Sequence, residues 1–164
     1  MRALDEVVAA LAEHGGPTSN WLVGEPCVPP PEALREALAR AARSESFKYP
    51  PAAGLLRLRE ILAERQTSFG TETEADQVVV TNGAKSGLLA VLATFLEPGD
   101  ELIHPVPCYP AYPTMAKLLG ARPVPVAEDN GSFEGWPQAV ADTIGPRTRA
   151  VVLSSPSNPT GATL

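Results

Sequence analysis

Residues 77–96 read QVVVTNGAKSGLLAVLATFL, and no other stretch constrains the chain as tightly. Gln77 to Thr81 is β-branched and apolar, as a strand covered on both faces should be. Gly83 lets the backbone turn sharply, and Asn82 or Thr81 can cap a helix begun there. Ala84, Leu88, Val91, Leu92 and Phe95 then recur at helical spacing and predict a helix with one apolar face. A strand, turn and helix of this kind point free backbone N–H groups beyond the strand's carboxyl end. The helix dipole adds partial positive charge there and Lys85 adds a full one, so the turn suits a phosphate. An ordinary βα turn that holds no ligand has the same pattern. Neither GxGxxG nor a Walker A sequence is present, so the stretch by itself names no nucleotide.

Alternation continues after this stretch. Glu97-Pro98-Gly99-Asp100 is a turn, Glu101 to His104 a strand, and Ala111 to Leu119 a helix closed by Gly120. Ala121 to Val126 predicts a strand, and Pro123 and Pro125 place it at or near a sheet edge, because proline removes ladder donors. Trp136-Pro137 opens a helix to about Ile144, and Arg149 to Ser154 reads as another buried strand. Strands alternating with helices give an α/β class: three layers, with a mostly parallel sheet flanked by helices. Upstream, Ala3 to His14 predicts a helix ended by Gly15-Gly16, and Trp21 to Val23 a short extended run. A helix follows Pro31, with Leu34, Leu38 and Ala41 on its buried face and Arg35, Arg40 and Arg43 facing water. Phe47 to Gly54 is too rich in proline for regular structure. From Leu55 to about Gln66 a further helix points Leu55, Leu58, Ile61 and Leu62 inward.

Totals narrow the function classes. At 164 residues the chain can bury a real core, and 44% hydrophobic with 20% charged residues is the balance of a globular protein. A net charge of −6 argues against general affinity for nucleic acid or an anionic membrane, so any anion site must be local. Cys27 and Cys108 have neither CxxC spacing nor a histidine partner pattern, so no disulfide framework and no metal site is expected. The opening MRALDEVVAALAEHGG carries acids and lacks the parts of a signal peptide, and no apolar run is long enough to span a bilayer. A cytoplasmic setting is the expectation.

In parallel sheets ligands lie beyond the carboxyl ends of the strands. Three loops leave those ends: TNGAKSG, HPVPCYPAY and SSPSNPTG. Tyr109 and Tyr112 can stack on a flat ring, or they are ordinary half-buried tyrosines. The Asn158 amide can donate to a ligand oxygen, or bond its own backbone in a turn. Tyr49 can donate to an anion or fill a loop. Gly24 allows close backbone approach or simply a turn. His104 reads as a satisfied strand residue, His14 as a cation suited to a helix end, and Asp100 as a turn residue.

Together these motifs match a family. Tyr49-x-x-x-x-Gly54-x-x-x-Leu58-Arg59, then VVVTNGAKSGLLA, EPGDELIHPVPCYPAY, Gly120 and VVLSSPSNPTG, with GEP at Gly24, resemble the class I/II aminotransferases. Those are pyridoxal-phosphate enzymes of fold type I, and the resemblance runs from about Trp21 to Gly161. It implies pyridoxal 5′-phosphate as cofactor, amino acid and 2-oxo acid as substrates, and a homodimer with shared active sites. Gly83, Ala84 and Lys85 would form the phosphate cup, with backbone donors at Ala84 and Lys85. Tyr109 would stack on the pyridine ring, and Asn158 would donate to the cofactor's phenolic oxygen and help to form the substrate site. Tyr49 would reach the phosphate of the neighbouring subunit, and Gly24 would approach the substrate carboxylate. The Asn158–Pro159 and Val106–Pro107 bonds become candidates for cis geometry. By the same resemblance residues 1–45 form an N-terminal arm and small-domain segment, and residues 46–164 the N-terminal half of the cofactor-binding large domain.

Two departures accompany the match. Cys27 stands where relatives often carry Asp or Asn. The chain's lysines are Lys48, Lys85 and Lys117, and none fits the Schiff-base lysine on which family chemistry depends. No catalytic residue is therefore assigned within the chain, which looks like an N-terminal fragment expected to be inactive alone, with an incomplete sheet and exposed apolar surface. Alternative readings are a lyase, cyclase or decarboxylase on the same cofactor, a non-catalytic truncated homologue, and a nucleotide-binding α/β domain.

Overall fold

A computed structural model of the chain describes residues 2–13, 15, 24, 26–43, 48–127 and 132–164, with side chains from residue 6 onward. Two compact units divide at Tyr49 and Pro50. The first holds α1 (Arg2–Glu13) and α2 (Glu32–Ala42). The expected extended run at Trp21 to Val23, and His14, lie outside the described residues. α2 has no buried residue, and Leu34 and Leu38 are exposed, contrary to the predicted buried face. Periodicity marks the stripe that would be buried, but burial itself takes a second apolar surface over it.

The second unit runs α3 (Leu56–Ser68), a 3₁₀ turn (Ala75–Gln77), α4 (Ala84–Phe95), β1 (Glu101–Val106), α5 (Ala111–Leu118), β2 (Arg122–Ala127), α6 (Trp136–Thr143) and β3 (Thr148–Val151). Three parallel strands form a sheet in the order β2-β1-β3. β1 is central, and successive side chains point to opposite faces. Leu102 joins Leu92 and Leu96 of and just after α4, and Met115 and Ala116 of α5, on one face. Ile103 joins Val126, Phe133, Trp136 and Val140 on the other, under α6. These are the three layers expected. β2 is an edge strand, with Pro123 and Pro125 opposite Leu102 and His104, as its prolines require. The Trp136 indole N–H donates to the Val126 carbonyl at 3.2 Å, so the buried ring leaves no polar group unsatisfied.

Four expectations change. Gln77 to Thr81 is no ladder strand: residues 78–81 are unassigned, and Val79 is 64% exposed. Beyond short-range turn bonds its Val80 N–H donates to the Ala53 carbonyl at 3.0 Å, and the Gly54 Cα lies so close that a Cβ there would meet the Val80 Cβ at 2.7 Å. A β-branched run becomes a strand only when a neighbour takes up its N–H and C=O groups, and no described strand flanks this one. Leu55, Leu58, Ile61 and Leu62 are exposed rather than inward, and the buried residue of α3 is Ala63. On α4 the apolar face is only half covered, Leu92 being buried while Val91 and Phe95 are exposed. β3 starts and ends earlier than expected and alternates half-buried with exposed residues, because among the described residues it pairs with β1 alone.

At the amino end of β1, buried Glu101 accepts from Arg122 at 2.6 Å and from Arg147 at 3.0 Å. These charge-assisted bonds, Arg122's first, hold its carboxyl below the usual carboxylate range. Asp100, the turn residue, caps the Glu97 N–H at 2.9 Å and pairs with Arg149. The opposite, carboxyl end of the sheet is therefore where a ligand loop cluster can form. No helix among the described residues is long and apolar enough to cross a membrane.

Candidate functional site

The turn into α4 is built from glycine for two separate reasons. Gly83, the residue before the helix, has φ +82° and ψ 154°, a conformation side chains rarely adopt, and open space lies where its Cβ would be. Gly87 lets the helix press on the segment that precedes it: a Cβ there would stand 2.9 Å from the Thr81 Oγ1. Neither Thr81 nor Asn82 caps the helix as expected. The Thr81 hydroxyl donates to the Gly83 carbonyl at 3.1 Å, and the Asn82 carbonyl accepts from the Ser86 hydroxyl at 3.0 Å. Ala84 and Lys85 open the helix, so their N–H groups have no intrahelical acceptor and no side-chain cap. Two free amides at the positive end of a twelve-residue helix make a seat for an anion.

Tyr109 leaves the end of β1 in the segment Pro107-Cys108-Tyr109-Pro110, after a cis Val106–Pro107 bond. Its carbonyl accepts from the Tyr112 N–H at 3.2 Å, and the Tyr112 ring meets it edge-on, with centroids 5.7 Å apart at 80°. The Lys85 ammonium lies over the Tyr109 ring, 5.5 Å from its centroid. That contact ties the first turn of α4 to the exit of β1. On β1 His104 is buried as a satisfied strand residue, its Nδ1 2.9 Å from the Pro105 carbonyl and 3.4 Å from the Cys108 Sγ.

Asn158 stands in the loop after β3, the strand beside β1. Buried Ser157 anchors that loop, donating its N–H to the Ala162 carbonyl at 2.7 Å and accepting from the Gly161 N–H at 2.8 Å. The Asn158–Pro159 bond is cis, as is Ser155–Pro156. The Asn158 side chain is exposed and makes no hydrogen bond to Lys85 or Tyr109. The loops of Lys85, Tyr109 and Asn158 thus leave one end of the second unit, and of these side chains only Lys85 and Tyr109 touch. Gly24 and Tyr49 belong to the first unit, where both are exposed. Sequence reasoning missed Gly87. Its signal was a glycine inside a helix, which costs about 1 kcal/mol against alanine unless close packing demands it.

Known proteins resemble this chain in sequence and in fold. The model of the family "Aminotransferase class I and II" matches residues 17–164. The chain belongs to the class I and II aminotransferase family. Members of this family depend on pyridoxal 5′-phosphate, so that is the cofactor against which the site is tested. An aspartate/prephenate aminotransferase of Thermus thermophilus is 39% identical over 162 residues, covering 98% of this chain and 42% of the relative. A solved aspartate aminotransferase mutant from Thermus thermophilus superposes with a TM-score of 0.88 at 35% identity, covering 98% of this chain and 43% of that one. An Escherichia coli protein described as having a methionine aminotransferase function gives a TM-score of 0.88 at 29% identity, over 97% of this chain and 42% of that one. The aminotransferase-family chain therefore spans about two fifths of the length of the curated relatives it matches, 42% in the Thermus case.

The donor set fits the cofactor. Free amides at Ala84 and Lys85 suit a phosphate dianion, and the open side of Gly83 leaves it room. Tyr109 offers a flat face for a pyridine ring, and Asn158 an unengaged amide at the mouth of the neighbouring loop. Among the described residues no group of three His, Cys, Asp or Glu could hold a metal ion.

Proposed function

We propose that this chain carries the cofactor-seating part of a pyridoxal-phosphate-dependent aminotransferase, which moves an amino group from an amino acid to a 2-oxo acid. One observation carries the reading: a cationic helix start and an aromatic platform meet at the carboxyl end of a parallel sheet, with the Lys85 ammonium 5.5 Å from the Tyr109 ring. When bound, pyridoxal phosphate supplies the electron sink that stabilises negative charge at the amino acid's α-carbon. The chain's residues would hold and tune it. Gly83 shapes the turn, and the Ala84 and Lys85 amides seat the phosphate. Tyr109 supports the ring, and Asn158 donates to the phenolic oxygen, which favours its anionic form. Gly24 approaches the substrate carboxylate. Tyr49, fully exposed, reaches across to a second copy's phosphate, so the reading includes a homodimer with shared sites. Residues 1–45 supply the arm and small-domain segment and residues 46–164 the start of the large domain, in a cytoplasmic protein. Prephenate, aspartate and methionine all appear in the relatives' names, so the amino donor stays a class rather than a compound.

Lys48 and Lys117 lie exposed on a loop and on a helix flank, and Lys85 lies at the phosphate seat. On this reading none of the three is the lysine that transfers the proton at the α-carbon, so the 164-residue chain mixed with pyridoxal phosphate, amino donor and 2-oxo acid should form no new 2-oxo acid. It should still bind pyridoxine 5′-phosphate saturably in equilibrium dialysis, and Tyr109→Leu should weaken that binding about tenfold. Turnover by the chain alone, or no saturable binding, would refute the proposal. Amino-group transfer itself is assayed on the product of the complete gene.

A further inference from the structure

We infer that Lys85 is a positioning residue for the Tyr109 platform. The inference rests on the proposed cofactor reading, but its ground is the packing around one ring. Pro107 and Pro110 bracket the backbone of Tyr109, and the Thr114 hydroxyl holds the Pro110 carbonyl at 2.8 Å. Side-chain rotation is the freedom left to the phenol. Tyr112 limits it from one side by an edge contact at 5.7 Å and 80°. The Lys85 ammonium limits it from another, lying over the ring at 5.5 Å, where the negative face of the π system attracts a cation.

Lys85 reaches this position from the first turn of α4, where its own N–H is one of the two free amides. The side chain therefore links the anion seat to the aromatic platform through a single residue. The contact holds only while the helix start and the Tyr109 segment keep their relative position. A lysine here thus acts through Tyr109 rather than on a reacting atom. Replacing it with an uncharged side chain of similar length leaves the amide seat intact and frees the ring.

The test uses ring-labelled tyrosine in the 164-residue chain, with pyridoxine 5′-phosphate as probe because it has no aldehyde to condense with lysine. In Lys85→Met the NMR signals of the Tyr109 ring should shift and broaden while those of Tyr49 stay fixed. Affinity for pyridoxine, which has no phosphate, should fall about threefold, the weight of an exposed cation–π contact. Lys85→Arg should restore both readouts. In a Tyr109→Leu background the Lys85→Met change should add almost nothing. Unchanged Tyr109 signals in Lys85→Met would overturn the inference. So would a loss confined to the phosphorylated probe or persisting without the Tyr109 ring, since Lys85 would then act on the ligand directly. Failure of the wild-type chain to bind either probe would sink the cofactor reading instead, and the ring signals would still decide the role of Lys85.

Discussion

Residues 77–81 and β1 invite comparison, because the better strand sequence makes the poorer strand. QVVVT holds three consecutive valines, whereas ELIHPV contains a histidine and a proline. Yet Leu102, Ile103 and Pro105 are fully buried, and Val79 is 64% exposed. β1 has a parallel partner on each side and helices over both faces. Residues 78–81 have one backbone tie to Ala53 and no ladder. Strand propensity measures how well a residue fits a pleated, half-covered surface, and that surface has to be supplied by other residues. Where it is supplied, each buried leucine or isoleucine adds about 1.5–3 kcal/mol.

The comparison breaks most sharply in the core. Leu102→Ala should cost about 2–5 kcal/mol in urea denaturation, by lost burial and the cavity left behind. Val79→Ala should stay within about 0.5 kcal/mol, as an exposed substitution does. Equal costs would show that residues 77–81 are covered in solution. A smaller effect tests how the loose strand end meets α4. Gly87→Ala puts a methyl 2.9 Å from the Thr81 Oγ1 and should cost about 1–3 kcal/mol. Adding Thr81→Ala removes that oxygen and should recover most of the loss; no recovery would place the strain elsewhere.

The mildest effect is on acid stability, at the amino end of β1. Glu101 has a folded pKa below its unfolded value, so its pairing stabilises the fold above about pH 4.3, the unfolded reference. That contribution drains away as pH falls through the lower folded value. Glu101→Gln should flatten the stability profile in this acid window and leave the slope near neutrality unchanged. A wild-type profile that does not fall below that reference would mean that Arg122 and Arg147 do not hold the carboxylate in solution.

Much of the architecture was legible because local rules agreed with the fold. The alternation after Glu101, the edge position of the proline-bearing β2 and the helix start at Ala84 follow from spacing and from glycine and proline chemistry. Burial was the poorest reading. Leu34, Leu38, Leu55, Leu58 and Ile61 read as inward-facing in the sequence and are exposed, since a stripe tells which face seeks a partner and not whether one is there. At the site, the residue types of the TNGAKSG, PCYP and SNPTG loops could be read. The contact between Lys85 and Tyr109, separated by 23 intervening positions, could not, because no local pattern reports which loops converge.

By itself, then, the order of amino acids settled the alternation of helices and strands after Glu101, the sharp turn at Gly83 and the family to which the chain belongs. Each depends on near neighbours along the backbone or on a motif read in line. Tertiary structure alone decided that β1 rather than the valine run is the buried centre. It also decided that Gly87 is small because Thr81 crowds it, and that an ammonium rests on Tyr109. Those outcomes depend on what lies across space, where burial, crowding and the pull of a charge on a ring are determined.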